Sequence, residues 1–542
     1  MTAVGLDRLV ADRVASRIWA RDLSVFAPRD TTDTRLAANF GTGLGWLDAA
    51  ESFAPRVAEL AAFGDTCWRE QLNRVVLLGM GGSSLAAEAV RDVAPSQANA
   101  PHLAVLDTTD ERTIREVTDG LSPPKTLFLV ASKSGHTIEV TSLERHFWRS
   151  MTESLGATTG RHFVAITDAG SPLADLARDR QYRRTYENPP DIGGRYSALS
   201  FFGLVPAALL RQPLERLLRS AQTMAERCRD DSAENPGLAL GAFLAKAAND
   251  GRDKLTVITT PAFRGLGAWI EQLVAESTGK DGRGLLPVVD EPVGRPEEYG
   301  NDRAFVVIAE PDATESNVAT NLETAGHPVF ALTPSSDELG GEFLRWEFAT
   351  TVAAVALGVS PFDEPNVADA KRRTQLQLDL RRTRAAFRID PPFERGQGYS
   401  RREHGREPQG AQMPGAGHYV AILDYLPREA ARAGIIARLR AALRRRTGLA
   451  TTYGIGPRYL HSTGQYHKGG PNTGLFLLLT AVDERVTAVP DAEYTFSALK
   501  LAQALGDFEA LAAAGRHVVH YHFEDPSTDY SAALESVLRQ YR

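Results

Sequence analysis

Cysteine is scarce in this chain, long apolar runs are missing, and there is no excess of positive charge. The two cysteines in 542 residues, Cys67 and Cys228, lie far apart and form no CxxC pair, which excludes a disulfide framework and a cysteine-rich metal site. No stretch reaches the roughly 18 uncharged apolar residues of a membrane span. The opening residues lack a basic segment followed by an apolar one, so a secretory signal is not expected. Lys and Arg number 61 against 68 Asp and Glu, a net charge of −7, which gives no reason to expect nucleic acid as a general partner. What is present is ordinary globular composition, 43% hydrophobic and 24% charged. That composition excludes wholesale disorder. The expectation is a cytoplasmic protein of roughly two to four domains, without membrane or nucleic-acid partners.

The first seventy residues read as helical, with Trp19, Phe26 and Trp46 as anchors. Short apolar runs then follow one another: Val75–Leu78, Leu103–Leu106, Thr126–Val130 and Phe163–Ile166, each closed by small polar residues. A second set comprises Leu255–Ile258, Phe305–Ile308, Val329–Leu332, Tyr419–Leu423 and Leu475–Leu479. Runs of this kind, spaced by helical patterns, predict parallel sheets with crossover helices. The expected division is a helical segment over 1–72, a first α/β domain over 73–232, a second over 233–480, and a helical C-terminal segment and tail over 481–542. Residues 371–407 hold eleven Arg or Lys against five Asp or Glu. They are read as a basic insertion near 371–412, a solvated helix and loop rather than an anion patch.

Ligands of open parallel sheets bind beyond the carboxyl ends of the strands. Two segments at such ends have the composition of phosphate cradles. One is Gly81-Gly82-Ser83-Ser84. The other is Ser132-Lys133-Ser134-Gly135-His136-Thr137, which adds a fixed positive charge. Glycines let the backbone approach an anion, and hydroxyls and free N–H groups donate to it. A dinucleotide fingerprint is weak here, because Ser84 stands where the third glycine belongs. A nucleotide P-loop at Gly279-Lys280 fails, since Val274 and Asp281 occupy its defining positions. Arg195, after Gly193-Gly194, offers a rigid fork of donors to an oxyanion. Glu276 lies at the edge of the apolar stripe Leu266, Trp269, Ile270, Leu273 and Val274, where partial burial raises a carboxylate's pKa. The alternative for Glu276 is a surface pair with Lys280 four residues on. The segment from His461 to Gly470, with two histidines among glycines and hydroxyls, reads as a reactive loop. His517, His520 and His522 read as structural, without metal-ligand spacing.

Gly79-Met80-Gly81-Gly82-Ser83, Ser132-Lys133-Ser134, Gly193-Gly194-Arg195-Tyr196-Ser197 and Glu276-Ser277-Thr278-Gly279-Lys280 resemble, in order, the signature segments of the glucose-6-phosphate isomerase family. The likeness is strongest to the isomerase half of bifunctional transaldolase/glucose-6-phosphate isomerases, without room for a transaldolase barrel. It implies two sugar-isomerase (SIS) α/β domains and interconversion of glucose 6-phosphate and fructose 6-phosphate through a cis-enediol. Isomerisation of another phosphosugar such as mannose 6-phosphate, or phosphosugar sensing without turnover, are the competing expectations. The resemblance also implies a homodimer with shared active sites and no metal or organic cofactor. It places Ser83, Ser132, Lys133, Ser134 and Thr137 on the phosphate, Arg195 on the enediolate and Glu276 as the base. His467 and Lys500 become the ring-opening pair, with His461 as the other histidine open to that role. Gly82, Glu139, His461 and Gln465 are expected near the sugar. Ser-Lys-Ser-Gly-His-Thr replaces the family's usual Ser-Lys-Thr-Phe-Thr-Thr, and Glu-Ser-Thr-Gly-Lys its commoner Glu-Ser-Asn-Gly-Lys.

Overall fold

The computed structural model describes residues 5–26, 43–94, 100–310, 313–384, 394–396, 399–405, 417–526 and 528–539, with some side chains in the later segments left aside. The first sheet contains β1 (Arg74–Gly79), β2 (His102–Leu106), β3 (Thr126–Ala131), β4 (Phe163–Asp168) and β5 (Arg184–Asn188). They run parallel in the order β2-β1-β3-β4-β5. Val75–Leu78 and Leu127–Val130 are buried on both faces, as central strands of a parallel sheet covered by helices must be. Strand order reverses at β1 and β3, so the loops leaving these two strands flank a topological switch point.

The strands after residue 250 are distributed over two sheets. One is β6 (Lys254–Thr259), β7 (Leu286–Val288), β8 (Arg303–Ile308) and β9 (Val329–Leu332), parallel in the order β7-β6-β8-β9. The other contains β10 (Glu394–Gly396), β11 (Tyr399–His404), β12 (Tyr419–Asp424), β13 (Ala450–Ile455), β14 (Gly474–Ala481) and β15 (His517–Phe523). Its order is β10-β11-β15-β14-β12-β13, with β10 and β11 antiparallel additions to a parallel core. The class expected from the sequence, α/β with mostly parallel sheets flanked by helices, is the class of the chain. The apolar runs show only that strands exist, whereas pairing partners decide which sheet each joins. No helix among the described residues is long and apolar enough to cross a membrane.

The Arg264–Thr278 helix ties these layers together. Its Leu266, Trp269, Ile270, Leu273 and Val274 are buried in the main core, and Trp269 meets Phe343 edge-on at 4.9 Å. The basic segment departs from expectation at its start. Residues 371–384 belong to the Pro365–Arg384 helix, whose Val367, Ala370, Thr374, Gln377 and Leu378 are buried. That face packs on the Phe496–Ala513 helix, while Lys371, Arg372 and Asp379 stay exposed, so this part is a helix with one packed face and one solvated charged face. Residues 385–393, 397–398 and 406–416 of the stretch lie outside the described residues. The tail is not helical alone either: β15 lies between β14 and β11, and its His520 and His522 both meet the Thr480 hydroxyl. No group of three metal-binding side chains occurs among the described residues.

Candidate active site

The site is assembled at the ends of β1, β3 and β13. After β1 the chain turns through Gly81, held at φ +54°, and Gly82. A Cβ on Gly82 would stand 1.9 Å from the Gly194 carbonyl, so only glycine lets this loop touch the Gly193–Arg195 turn. A Cβ on Gly81 would meet Gln272 Nε2 at 2.6 Å and the His461 carbonyl at 2.9 Å. The first glycine loop therefore lies against Arg195 on one side and against Gln272 and His461 on the other.

Arg195 is almost fully buried. Its Nε donates to Ser277 Oγ at 3.0 Å, its Nη2 to the carbonyls of Pro361 at 2.6 Å and Asp363 at 3.0 Å, and its Nη1 to Glu364 Oε2 at 2.9 Å. Trp46 stacks on Tyr196, whose hydroxyl donates to the same Ser277. Glu276 projects from the last turns of its helix with its Oε2 at 3.5 Å from Arg195 Nη1. Gln272 Nε2, one turn earlier, donates to it at 3.2 Å. Burial pushes the Glu276 carboxyl up to about 8, over the opposing pull of Arg195 and with a further push from Glu364. A carboxylate of this kind is a base matched to neutral pH. The surface pair with Lys280 does not form. Lys280 is buried, bonded to the Ser360 carbonyl and paired with Asp363 at 2.7 Å, and burial lowers its ammonium to about 8.

The second group gathers around Glu139, at the start of the Ile138–Leu155 helix. His461 Nε2 lies 2.9 Å from its Oε1, and Gln503 Nε2 donates to it at 2.7 Å. Burial alone would raise this carboxyl, but His461 and the hydrogen bonds outweigh it and hold the group below its ordinary value. Together with Ser134, Thr137, Lys371 and Thr374, these side chains line a cleft of about 240 Å³.

The phosphate candidates divide. Ser134 and Thr137 line the cleft, while Ser132 Oγ meets Thr137 Oγ1 at 3.0 Å behind it. Lys133 Nζ is turned onto Asp168 at 2.6 Å and the Pro190 carbonyl at 3.0 Å. Ser83 is buried in the first loop. Gln465 does not reach toward the cleft. It braces the loops through the Gly279 carbonyl at 3.0 Å and Asn366 at 2.8 Å.

Two expected residues lie outside the cleft. His467 is 1% exposed, packed against Tyr419 and Phe476 with Nδ1 2.9 Å from the Tyr419 hydroxyl. Burial lowers its proton affinity well below the usual range. Lys500 is equally buried, between Asp110 at 3.1 Å and Asp483 at 2.6 Å, and those two carboxylates keep it charged. Neither lines the cleft, and neither do Arg195 and Glu276, whereas His461 and Lys371 do. Sequence reasoning missed Gln272, Gln503, Glu364 and Lys371. Gln272 was findable four residues before Glu276 on one helix face. Lys371 was findable beside the apolar spacing Val367, Ala370, Thr374, which marks an inward-facing helix.

Parallel sheets with hydroxyl-lined loops at a switch point, and a buried carboxylate beside a buried guanidinium, define an α/β protein with groups suited to holding an anion and moving a proton. The family model for phosphoglucose isomerase matches residues 46–285 of this chain. The glucose-6-phosphate isomerase of Rubrobacter xylanophilus is 28% identical over 358 residues, 56% of this chain and 82% of that protein. A probable glucose-6-phosphate isomerase of Haloarcula marismortui is 36% identical over 215 residues, 39% of this chain and 48% of that one. Among solved structures, a hypothetical protein from Thermus thermophilus superposes with a TM-score of 0.58 at 23% identity, over 70% of this chain and 96% of that one. A glucose-6-phosphate isomerase from Chlamydia trachomatis superposes with a TM-score of 0.51 at 18% identity, over 69% and 79%. These two structural likenesses concern the fold.

Proposed function

We propose that the chain is a glucose-6-phosphate isomerase, interconverting glucose 6-phosphate and fructose 6-phosphate by proton transfer. The observation that carries this reading is the pairing of Glu276, a buried base, with the Arg195 guanidinium beside the first glycine loop. Phosphate binds at Ser134 and Thr137, with Ser83 and Ser132 supporting the loops, and this remote contact orients the sugar. His461, held by Glu139, exchanges a proton with the ring oxygen, and Lys371 at the cleft mouth supplies positive charge during opening. Glu276 removes the C2 proton of the aldose; the C–H electrons form the C1–C2 double bond and O1 becomes an oxyanion. Arg195 offsets that charge. The O2 proton passes to O1 across the cis-enediol, the C2 carbonyl forms, and the electrons of the C1–C2 double bond take the proton of Glu276 at C1, which gives the ketose. The reading includes a homodimer acting in the cytoplasm, with one α/β domain ending near residue 232 and a second extending to about 480.

The test is a coupled assay for glucose 6-phosphate formed from fructose 6-phosphate, repeated with chelator and with mannose 6-phosphate as alternative substrate. Turnover of fructose 6-phosphate that survives chelation is expected. Faster turnover of mannose 6-phosphate would move the reading to another phosphosugar. Phosphosugar binding without any turnover would replace it with a sensor.

A further inference from the structure

A guanidinium has five donors in one plane. Four of those of Arg195 make hydrogen bonds: Nε to Ser277, Nη2 to the Pro361 and Asp363 carbonyls, and Nη1 to Glu364. The remaining Nη1 donor faces Glu276, an ion-pair partner at 3.5 Å. A sugar oxygen that takes a hydrogen bond from this group therefore competes with one of these five partners. Four of the five are held firmly. Ser277 and Glu276 are buried on the Arg264–Thr278 helix. The two carbonyls belong to the Ser360–Glu364 segment, which Lys280 ties down through the Ser360 carbonyl and Asp363. Glu364 differs. Its side chain is 48% exposed and reaches the guanidinium from just before the Pro365–Arg384 helix. A pair with one solvated member is weak and readily exchanged.

On the isomerase reading given above, we propose that Glu364 is the displaceable partner of Arg195, a positioning residue that holds Nη1 in place and yields it to the sugar oxygen as substrate enters. The exchange moves no covalent bond; the carboxylate swings into water as the sugar oxygen takes its hydrogen bond. It also moves a negative charge away from the base. The charges acting most on Glu276 are Arg195 from the Gly194–Tyr196 turn, Glu364, and Lys280 beyond its own helix. Of these, Glu364 alone favours the protonated form. Its departure therefore leaves Glu276 a more fully ionised base at the moment substrate is in place.

The test compares the whole protein with Glu364→Gln, whose half-exposed position keeps the fold out of question. Calorimetry measures binding of sorbitol 6-phosphate, an open-chain analogue that cannot isomerise, and of inorganic phosphate. With the competing charge removed, sorbitol 6-phosphate is expected to bind about threefold tighter or better, since like-sized exposed pairs are worth about that much. Inorganic phosphate, held at the other end of the cleft, is expected to bind unchanged. In kinetics, the acid limb of kcat/KM moves down by about half a pH unit, because one carboxylate no longer faces Glu276. Weaker or unchanged binding of sorbitol 6-phosphate overturns the proposal, the first by making Glu364 a substrate ligand and the second by making it irrelevant. An acid limb that stays in place overturns it as well. Wild-type protein that binds neither probe counts against the isomerase reading itself.

Discussion

Glu276 and Glu139 are both buried carboxylates beside a nitrogen donor, Arg195 and His461 respectively, yet their proton affinities are displaced in opposite directions. Glu276 receives one hydrogen bond, from Gln272, and its guanidinium is shared with Glu364, so burial wins and the group titrates at about 8. Glu139 accepts from both His461 and Gln503 on one oxygen, and the pull of His461, with a backbone hydrogen bond and Lys371, overcomes burial. This contrast decides which carboxylate can do what. Carboxyl groups whose surroundings push them apart divide into a group that moves protons and a group that holds a partner in place. Glu276→Gln puts the greatest load on that division. Removal of a positioned base costs about 10²–10⁴-fold in kcat, and the melting temperature is expected to stay. Because the base acts ionised, wild-type kcat/KM rises with pH and levels off above about 8. A variant retaining a tenth of wild-type turnover would falsify the assignment.

The second substitution addresses the other carboxylate. Glu139→Gln keeps the shape, and its amide oxygen can accept from both His461 and Gln503, but it removes the negative charge those donors face. A hydrogen bond to a charged group is worth about 1.5–3 kcal/mol against about 0.5–1.5 for a neutral one. The expected result is a loss of about tenfold to a hundredfold in kcat/KM, with the acid limb set by Glu276 unmoved. Stability changes in a defined window too. The folded Glu139 carboxyl lies below its ordinary 4.5, so its contribution is present above that pH and is lost as pH falls through the lowered value. Acid unfolding of Glu139→Gln is therefore expected to be flatter below pH 4.5 than that of wild type. Identical acid limbs of unfolding in the two proteins would remove the ionised Glu139 from the comparison.

Much of this site was legible in the sequence because its parts are local. The glycine loop after β1, the hydroxyl loop after β3 and the carboxylate in the Arg264–Thr278 helix each carry their own signal in spacing and residue type. Contacts that join distant segments were not legible. His461 and His467 stand six residues apart in one polar segment; only the packing of Tyr419 and Phe476 around the second decides that it belongs to the core. Lys500 and Lys371 show the same difference. Each lies on a helix facing the other's helix, but Asp110 and Asp483 enclose the first, whereas the second is exposed beside the cleft, a place that its charge run does not reveal. Strand existence was written in the apolar runs, while the division of the later strands between two sheets depends on edges that no run encodes.

A third buried carboxylate carries the comparison to a weaker effect, on stability alone. Glu347, in the Leu339–Leu357 helix, is 0% exposed, and neither of its oxygens has a hydrogen-bond partner. Burial alone raises it well above 4.5, without the guanidinium that moderates Glu276 or the donors that hold Glu139 down. A carboxyl that binds its proton more tightly when folded destabilises the fold progressively as pH rises above the unfolded value. Glu347→Met, similar in length and without a charge to bury, is expected to gain stability, about 1 kcal/mol at pH 8. The gain should shrink toward pH 3.5, where the wild-type group is protonated in both states. Denaturant unfolding at the two pH values measures it. A gain equal at both would trace to packing, and a loss at pH 8 would mean that Glu347 is charged and partnered in solution, like Glu139.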